Sequence, residues 1–219
     1  MSAGASCAVI VFAKAPVAGY AKTRLAGALG AEGAARLAAR LLDEAAAQAV
    51  AAQVGPVEVY CAPDSRHPAI AALARRWPLA LTCQGSGDLG ARLQRAFARA
   101  LAVHPRVVVI GTDAPRLDAA YLRAAAARLD DHDAVLGPAQ DGGYTLLGLR
   151  ATSPVLFDGV DWSTPQVLAQ TRARLHRLGW RHAELAELAD IDEPADLRHV
   201  PPGWAPLAGH PPRPIASKD

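Results

Sequence analysis

RVVVIGTDAPRL, residues 106–117, is the stretch that decides the fold. Its four strand-favouring apolar residues, Val107 to Ile110, run directly into Gly111. A short apolar run bounded by turn residues is typical of a buried strand. Asp113 then lies at the carboxyl end of that strand, where open α/β sheets bind their ligands. Because an unpaired charge is costly to desolvate, we expect a metal ion, a ligand or a basic residue beside this carboxylate.

Predicted strands and helices alternate along the rest of the chain. Apolar runs predict strands at residues 8–13, 57–61, 79–83, 107–110, 134–136, 143–149 and 180–184. Helical spacing and capping residues predict helices at residues 31–54, 67–76, 91–102, 118–129, 163–178 and 190–197. This order predicts an α/β domain over residues 1–200, with a largely parallel sheet, helices on both faces and an antiparallel addition after residue 134. Residues 201–219 are proline-rich, and we expect a loosely ordered tail there.

Composition excludes several classes of function. The net charge of the 219 residues is +2, which creates no strong field for nucleic acid or an anionic membrane. No apolar run approaches the roughly 20 residues that span a bilayer, and the amino terminus lacks the basic region of a signal peptide. The three cysteines lack the spacing of a metal site. We therefore expect a cytoplasmic protein whose partners are small molecules.

The loop at residues 14–24 follows the first predicted strand and precedes a helix. Its basic residues are Lys14, Lys22 and Arg24. A P-loop would need glycines at two positions that hold Pro16 and Ala21, so that motif is absent. The loop is either a solvated basic segment or a phosphate-binding loop, and we favour phosphate binding because three cations share one sheet edge.

The stretch GSGDLG, residues 85–90, has the spacing of a dinucleotide-binding motif. If the motif binds a dinucleotide, the protein is an NAD-dependent dehydrogenase and Asp113 is its ribose-binding acid. However, the motif follows the third strand rather than the first, and Asp113 precedes Ala114-Pro115. A plain tight turn and a loop against a nucleobase or ribose are the other interpretations, and we favour the last.

Several acids are candidates for metal binding beside Asp113. Mg²⁺ is usually held by one or two carboxylates together with substrate phosphates. Asp190 and Asp192 alternate in a loop after the last predicted strand, so both side chains can face one site. Alternatively, Asp192 only caps the helix that begins near Pro194. Asp141 precedes two glycines, which suggests that the backbone approaches a ligand closely there.

Five motifs together resemble a known bacterial family. They are AKAPVAGYAKTRL (13–25), GDLGARL (87–93), IGTDAPRL (110–117), GPAQDGGYTLLGL (137–149) and WST (162–164). They are similar to bacterial GT-A-type glycosyltransferases of the radical-SAM-associated kind, within the nucleotide-diphospho-sugar transferase superfamily. Relatives of that group include the phospholactate and molybdenum-cofactor guanylyltransferases. The resemblance implies a Rossmann-like GT-A three-layer sandwich.

The resemblance also implies roles for individual residues. Asp113 and Asp192 would bind Mg²⁺ or Mn²⁺. The nucleotide-binding set is Lys14, Lys22, Arg24, Gly87, Asp88, Gly90, Arg92 and Thr112. The acceptor-binding set is Asp141, Gly142, Gly143, Tyr144, Trp162, Ser163 and Thr164. Asp113, Asp141 and Lys22 would take part in catalysis, with Asp141 as the base or the residue that positions the acceptor.

These observations predict a metal-dependent transferase that uses an activated nucleotide, with a nucleotide sugar as donor. The main alternative is a nucleotidyltransferase that uses a nucleoside triphosphate and releases pyrophosphate. The glycosyltransferase signature is D-x-D, and Gly111 stands at its first position here. Two further alternatives are an NAD-dependent dehydrogenase and a nucleotide-binding module without catalysis.

Overall fold

A mixed seven-stranded sheet forms the centre of the computed structural model, which describes residues 6–207. The strands are β1 (Cys7–Lys14), β2 (Val57–Ala62), β3 (Ala80–Cys83), β4 (Arg106–Ile110), β5 (Ala134–Pro138), β6 (Tyr144–Leu149) and β7 (His182–Glu184). The α-helices are α1 (Ala26–Ala52), α2 (Pro68–Arg76), α3 (Leu89–Leu101), α4 (Ala119–Arg128) and α5 (Val167–Arg177). Short 3₁₀ helices cover Thr23–Leu25, Pro154–Leu156, Pro194–His199 and Pro202–Leu207.

The strand order is β3-β2-β1-β4-β6-β5-β7. Strand β6 is antiparallel to both of its neighbours, β4 and β5, and the other pairs are parallel. The predicted fold class, a mostly parallel α/β sheet, is therefore confirmed. Strand order reverses between β1 and β4, and such a switch point opens a crevice at the carboxyl ends of the strands.

Both faces of the sheet are covered, which explains the uninterrupted apolar runs. On one face, Val108 and Ile110 of β4 pack in a cluster with residues of α1, α2 and α4. On the other face, Val107 and Val109 pack with residues of α3 and α5. Strand β4 is thus buried along its whole length, and the first residue free to meet solvent is Gly111.

A third, smaller cluster joins parts of the chain that are distant in sequence. Its buried members are Leu25, Ala34, Leu37, Leu41, Ile191 and Trp204. Trp204 is also covered by the Arg40 guanidinium, 5.1 Å from the ring centroid. It lies four residues beyond the predicted domain boundary, so packing continues into the segment expected to be loosely ordered. The rest of that predicted tail, residues 208–219, lies outside the described residues.

Some helix ends differ from the sequence prediction. Helix α5 begins at Val167, four residues after its predicted start, with Gln166 as N-cap; Ser163 lies before the helix and has a left-handed backbone (φ 64°). Helix α3 begins two residues early, at Leu89, after an N-cap at Asp88. Asp118, at the predicted start of this segment, is the N-cap of α4, and its carboxylate accepts a hydrogen bond from the N–H of Tyr121. Within residues 6–207 no helix is both long and apolar enough to cross a bilayer.

Candidate functional site

A cleft of about 680 Å³ opens at the carboxyl ends of β1 and β4. It contains most of the residues that the sequence analysis selected. They are Lys14, Lys22, Arg24, Gly87, Asp88, Arg92, Thr112, Asp113, Asp141, Gly143, Tyr144, Trp162, Ser163, Thr164 and Asp192. Residues from six separate stretches of sequence therefore converge at the switch point of the sheet.

Lys22 lies between the two predicted metal ligands. Its ammonium nitrogen, Nζ, is 2.6 Å from Oδ1 of Asp113 and 2.6 Å from Oδ1 of Asp192. It also donates a hydrogen bond of 2.6 Å to the carbonyl oxygen of Ile191. A lysine ammonium has three donor hydrogens, and three oxygens surround this one. The partner of the strand-end carboxylate is thus a basic residue, one of the three possibilities that the sequence left open.

The pKa of Lys22 reflects this environment. Its side chain is only 8% exposed, and burial on its own lowers the pKa of an amine. The charges of Asp113 and Asp192 outweigh that effect, so the pKa lies above the ordinary 10.5. Lys22 therefore stays protonated through the physiological pH range and neutralises one of the two negative charges.

The loop that carries Asp190 and Asp192 is fixed by the residue between them. Ile191 is fully buried in the third cluster, and its N–H donates a 2.9 Å hydrogen bond to the carbonyl oxygen of Asp113. Because neighbouring residues of an extended segment point in opposite directions, burial of Ile191 leaves both aspartates on the cleft side. The backbone thus brings the carboxylate-bearing segments together.

Asp192 is not the N-cap of the following 3₁₀ helix. The N-cap is Glu193, and the backbone N–H groups of Asp192 and Glu193 both donate to Oδ2 of Asp196. The alternative interpretation, in which Asp192 only caps the helix near Pro194, is therefore wrong. Its side chain is 41% exposed, so one side of the carboxylate faces the cleft.

Asp190 has the most perturbed carboxyl group in the cleft. Burial raises its pKa to about 6, and the nearby charges of Asp141, Asp192 and Asp113 contribute to the increase. Like charges disfavour ionisation of a neighbouring carboxyl group. Asp190 therefore lies close enough to Asp141, Asp192 and Asp113 to be affected by their charges, and Lys22 contacts two of these acids.

The wall of the cleft opposite the carboxylates contains Gln84, a residue that was not predicted from the sequence. Gln84 is 4% exposed, and its Nε2 donates to the carbonyl oxygens of Ala13 and Tyr60, both at 2.9 Å. It thereby closes the ends of β1 and β2. A glutamine immediately after a strand and before a glycine-rich turn was the available signal.

Arg92 extends along this wall from α3. Its Nη1 lies 3.5 Å from Oε1 of Gln84, and its buried Nε has no hydrogen-bond partner among the described residues. Asp88, at the start of α3, accepts a hydrogen bond of 2.8 Å from the N–H of Ala91. A buried guanidinium nitrogen without a partner is costly, so this part of the cleft is suited to a ligand that supplies an acceptor.

The remaining edge of the cleft carries the predicted acceptor residues. Oδ1 of Asp141 accepts a hydrogen bond of 2.8 Å from the N–H of Gly143, which holds the turn before β6. The turn itself is fixed by Gly142, whose φ is 86° and whose missing Cβ would lie 2.4 Å from the carbonyl oxygen of Pro165. Gly142 therefore packs against the segment before α5.

Two predicted contact residues do not line the cleft. Gly142 is one of them, for the reason just given. Gly90, the other, lies inside α3, where a Cβ would meet Trp162 Nε1 at 2.6 Å and the carbonyl oxygen of Phe157 at 2.8 Å. Helix α3 begins earlier than predicted, so Gly90 allows close helix packing and places the indole ring of Trp162.

The donor set of the cleft suits a hard divalent cation. Mg²⁺ and Mn²⁺ prefer carboxylate, phosphate and water oxygens, and Asp113 and Asp192 hold oxygens close enough to share one ammonium group. Among residues 6–207 no group of three or more His, Cys, Asp and Glu side chains has metal-binding geometry. Two protein carboxylates fit a cation whose other ligands come from a substrate and water.

Comparison with solved structures identifies the fold. A protein from Desulfovibrio desulfuricans G20, provisionally assigned as a nucleotide-diphospho-sugar transferase, is 28% identical, with a TM-score of 0.79 over 87% of this chain and 84% of that one. CMP:2-keto-3-deoxy-manno-octonic acid synthetase, complexed with CTP, is 15% identical, with a TM-score of 0.53 over 89% of this chain and 96% of that one.

A third similar structure is the mannosyltransferase PcManGT from Pyrobaculum calidifontis in complex with GDP-Man and Mn²⁺. It is 17% identical, with a TM-score of 0.53, and the match covers 86% of this chain and 57% of that one. No protein of curated function gives a significant match to the sequence. The fold is therefore the Rossmann-like α/β fold of nucleotide-sugar transferases. The chain belongs to DUF2064, a family of uncharacterized proteins conserved in bacteria, whose sequence model matches residues 42–164.

Proposed function

We propose that the protein is a metal-dependent transferase that binds an activated nucleotide in the cleft. The observation that carries the proposal is that the carboxylates of Asp113 and Asp192 both contact the Lys22 ammonium group at the switch point of the sheet. Support comes from two structures of similar fold, a synthetase complexed with CTP and a mannosyltransferase complexed with GDP-Man and Mn²⁺. A divalent cation held by these two carboxylates would neutralise the phosphates and stabilise the leaving group.

The protein's own residues define where each part of the donor would bind. Lys14 and Arg24 are exposed cations on the loop beside the two carboxylates, and they would stabilise developing negative charge on the phosphates. Arg92, Gly87 and Asp88 line the opposite wall, where we place the nucleoside. Thr112 lies next to Asp113, and its hydroxyl would contact the ribose or a phosphate.

The acceptor would bind at the edge formed by the Asp141 turn and the segment from Trp162 to Thr164. The Asp141 carboxylate is exposed to the cleft, and we assign it the role of orienting the acceptor or removing its proton. Tyr144 borders this edge, and burial raises the pKa of its hydroxyl, which therefore stays protonated and can donate a hydrogen bond.

Nucleotidyl transfer is the chemistry that the site favours. Gly111 provides no carboxylate at the first position of the glycosyltransferase signature, and the second acid comes instead from the loop after β7. In this reaction an acceptor oxygen attacks the α-phosphorus of a nucleoside triphosphate and pyrophosphate leaves. Glycosyl transfer remains the second candidate, because the 28%-identical relative is assigned as a nucleotide-diphospho-sugar transferase.

A ligand screen followed by product analysis tests the proposal. The melting temperature would be measured with each nucleoside triphosphate, with nucleotide sugars and with NAD(H), in each case with and without Mn²⁺. We expect Mn²⁺-dependent stabilisation by a nucleotide, and the same screen with Asp113→Asn serves as the control. Phosphorus NMR then separates release of pyrophosphate from release of a nucleoside diphosphate. If only NAD(H) stabilises the protein, or if no nucleotide does, the proposal is wrong.

A further inference from the structure

The position of Lys22 creates a conflict with metal binding. Its Nζ is 2.6 Å from each of the two carboxylate oxygens that face one another. A Mg²⁺ ion bonded to the same oxygens would lie about 2.0–2.1 Å from each of them. Two cations cannot occupy that space together, because they would overlap and repel each other.

We propose that Lys22 is an exchangeable counter-ion. It bridges the Asp113 and Asp192 carboxylates in the free protein, leaves when a divalent cation binds, and then contacts the phosphates of the nucleotide. This inference rests on the proposed function for the identity of the metal and the nucleotide. It assigns Lys22 two successive partners, whereas the sequence predicted a role for Lys22 in phosphate binding and catalysis without a carboxylate partner.

The loop around Lys22 permits such a movement. The backbone is anchored on both sides of the lysine, by Ala21 and Leu25, which are both buried. In contrast, Tyr20, Thr23 and Arg24 are exposed and line the cleft. The lysine ammonium sits on a flexible four-carbon side chain, so it can swing into the cleft while the backbone stays in place.

Coupled binding follows from this exchange. A metal ion that binds alone must break three close contacts of Lys22 and leaves its charge without a partner. A nucleotide supplies phosphate oxygens that accept the displaced ammonium. Each ligand therefore raises the affinity of the other by the same factor, and Mn²⁺ alone binds weakly.

The direct test measures Mn²⁺ binding without nucleotide, by the electron paramagnetic resonance signal of free Mn²⁺. We expect Lys22→Met to bind Mn²⁺ at least tenfold more tightly than the wild type, because the competing cation is gone. Arg116→Met is the matched control, since it removes an exposed cation near Asp113 and should change the affinity less than twofold. If Lys22→Met binds Mn²⁺ equally or more weakly, Lys22 does not compete with the metal and the inference is overturned.

A second test uses the wild-type protein and does not depend on the folding of a variant. The sequence contains three lysines, Lys14, Lys22 and Lys218. Brief acetylation followed by mass spectrometry would report the reactivity of Lys22, with exposed Lys14 as the internal reference. Mn²⁺ should increase the acetylation rate of Lys22 several-fold relative to Lys14, and an unchanged ratio would contradict the exchange. Both tests read metal binding alone, so they remain decisive if no transferase activity is found.

Discussion

The backbone N–H of Ile191 donates a hydrogen bond to the carbonyl oxygen of Asp113 at 2.9 Å. This bond joins the end of β4 to the loop after β7 through main-chain atoms. The carboxylates of Asp113 and Asp192 are therefore held in position by the backbone and by the buried side chain of Ile191. It follows that a carboxylate can be neutralised while the two segments stay together.

Asp113→Asn should abolish Mn²⁺-dependent nucleotide binding and leave the fold intact. Asparagine keeps the shape of the side chain but removes the charge that a divalent cation requires. Calorimetric titration of a nucleotide with Mn²⁺ checks this expectation, together with circular dichroism. Asp118→Asn is the control, because asparagine is an equally good N-cap for α4 and residue 118 does not line the cleft. An unchanged titration of Asp113→Asn would exclude Asp113 as a metal ligand.

Arg92→Leu should weaken the binding of a nucleoside and of its nucleotide by the same factor. Its Nε has no hydrogen-bond partner within residues 6–207, and its Nη1 contacts Gln84 on the wall assigned to the nucleoside. A hydrogen bond to a charged group contributes about 1.5–3 kcal/mol, which corresponds to roughly tenfold to a hundredfold in affinity. Arg24→Leu should instead weaken the nucleotide and spare the nucleoside. If Arg92→Leu and Arg24→Leu weaken nucleoside and nucleotide binding in the same way, the nucleoside does not bind beside Arg92 with its phosphates beside Arg24.

Gly90→Ala should lower the melting temperature and alter the fluorescence of Trp162. A new Cβ would lie 2.6 Å from Nε1 of Trp162 and 2.8 Å from a backbone carbonyl oxygen, so the indole ring has to move. Gly27→Ala is the control, since nothing lies within 4 Å of its Cβ position in α1. Alanine there should stabilise the helix by about 0.5–1 kcal/mol. Equal melting temperatures for the two variants would show that the close contact at residue 90 has no structural cost.

The stability of the protein should fall as the pH rises from about 4 to 6 through the titration of Asp190. Its pKa is about 6 in the native state, against an ordinary value of 3.8. Between these values the native state binds more protons than the unfolded chain, so the free energy of unfolding decreases as the pH increases. The decrease levels off only as the pH rises past the native pKa of about 6, where Asp190 becomes ionised in the native state as well.

Melting curves of the wild type and Asp190→Asn from pH 4 to 7.5 check this contribution. The difference in melting temperature between Asp190→Asn and the wild type should grow in favour of the variant as the pH rises. Asp158→Asn, which changes an exposed aspartate outside the cleft, should follow the wild type. Parallel curves for Asp190→Asn would mean that burial does not raise the pKa of Asp190.

The sequence was most informative where the signal is local. The apolar run before Gly111 predicted β4, and the two short strands after residue 134 predicted the antiparallel pair. The insertion of β6 between β4 and β5 was not predictable, because it depends on pairing between distant segments. The start of α5 was missed for a different reason, since the left-handed conformation of Ser163 has no clear sequence signal.

In the candidate site, too, residues with a local sequence signal were predicted, whereas contacts between distant residues were not. Residues beside glycines and strand ends were found because those patterns mark loops at the sheet edge. The contact of Lys22 with Asp192 joins residues 170 apart in sequence, and nothing near Lys22 indicates it. Gln84 was missed because a polar residue is expected at the surface, although here its amide is buried and bonds to two strand ends.

The third apolar cluster has a consequence for biosynthesis. Ile191 positions the acidic loop, and it packs with Leu25 from near the start of the chain and Trp204 from near its end. A ribosome releases these three residues at very different times. The first strands and helices can form during translation, whereas the carboxylates of Asp113 and Asp192 can meet only after residue 192 has emerged. The cleft is therefore completed only after strands β1 to β7 have all been synthesised, because Ile191 and Asp192 follow β7 in the sequence.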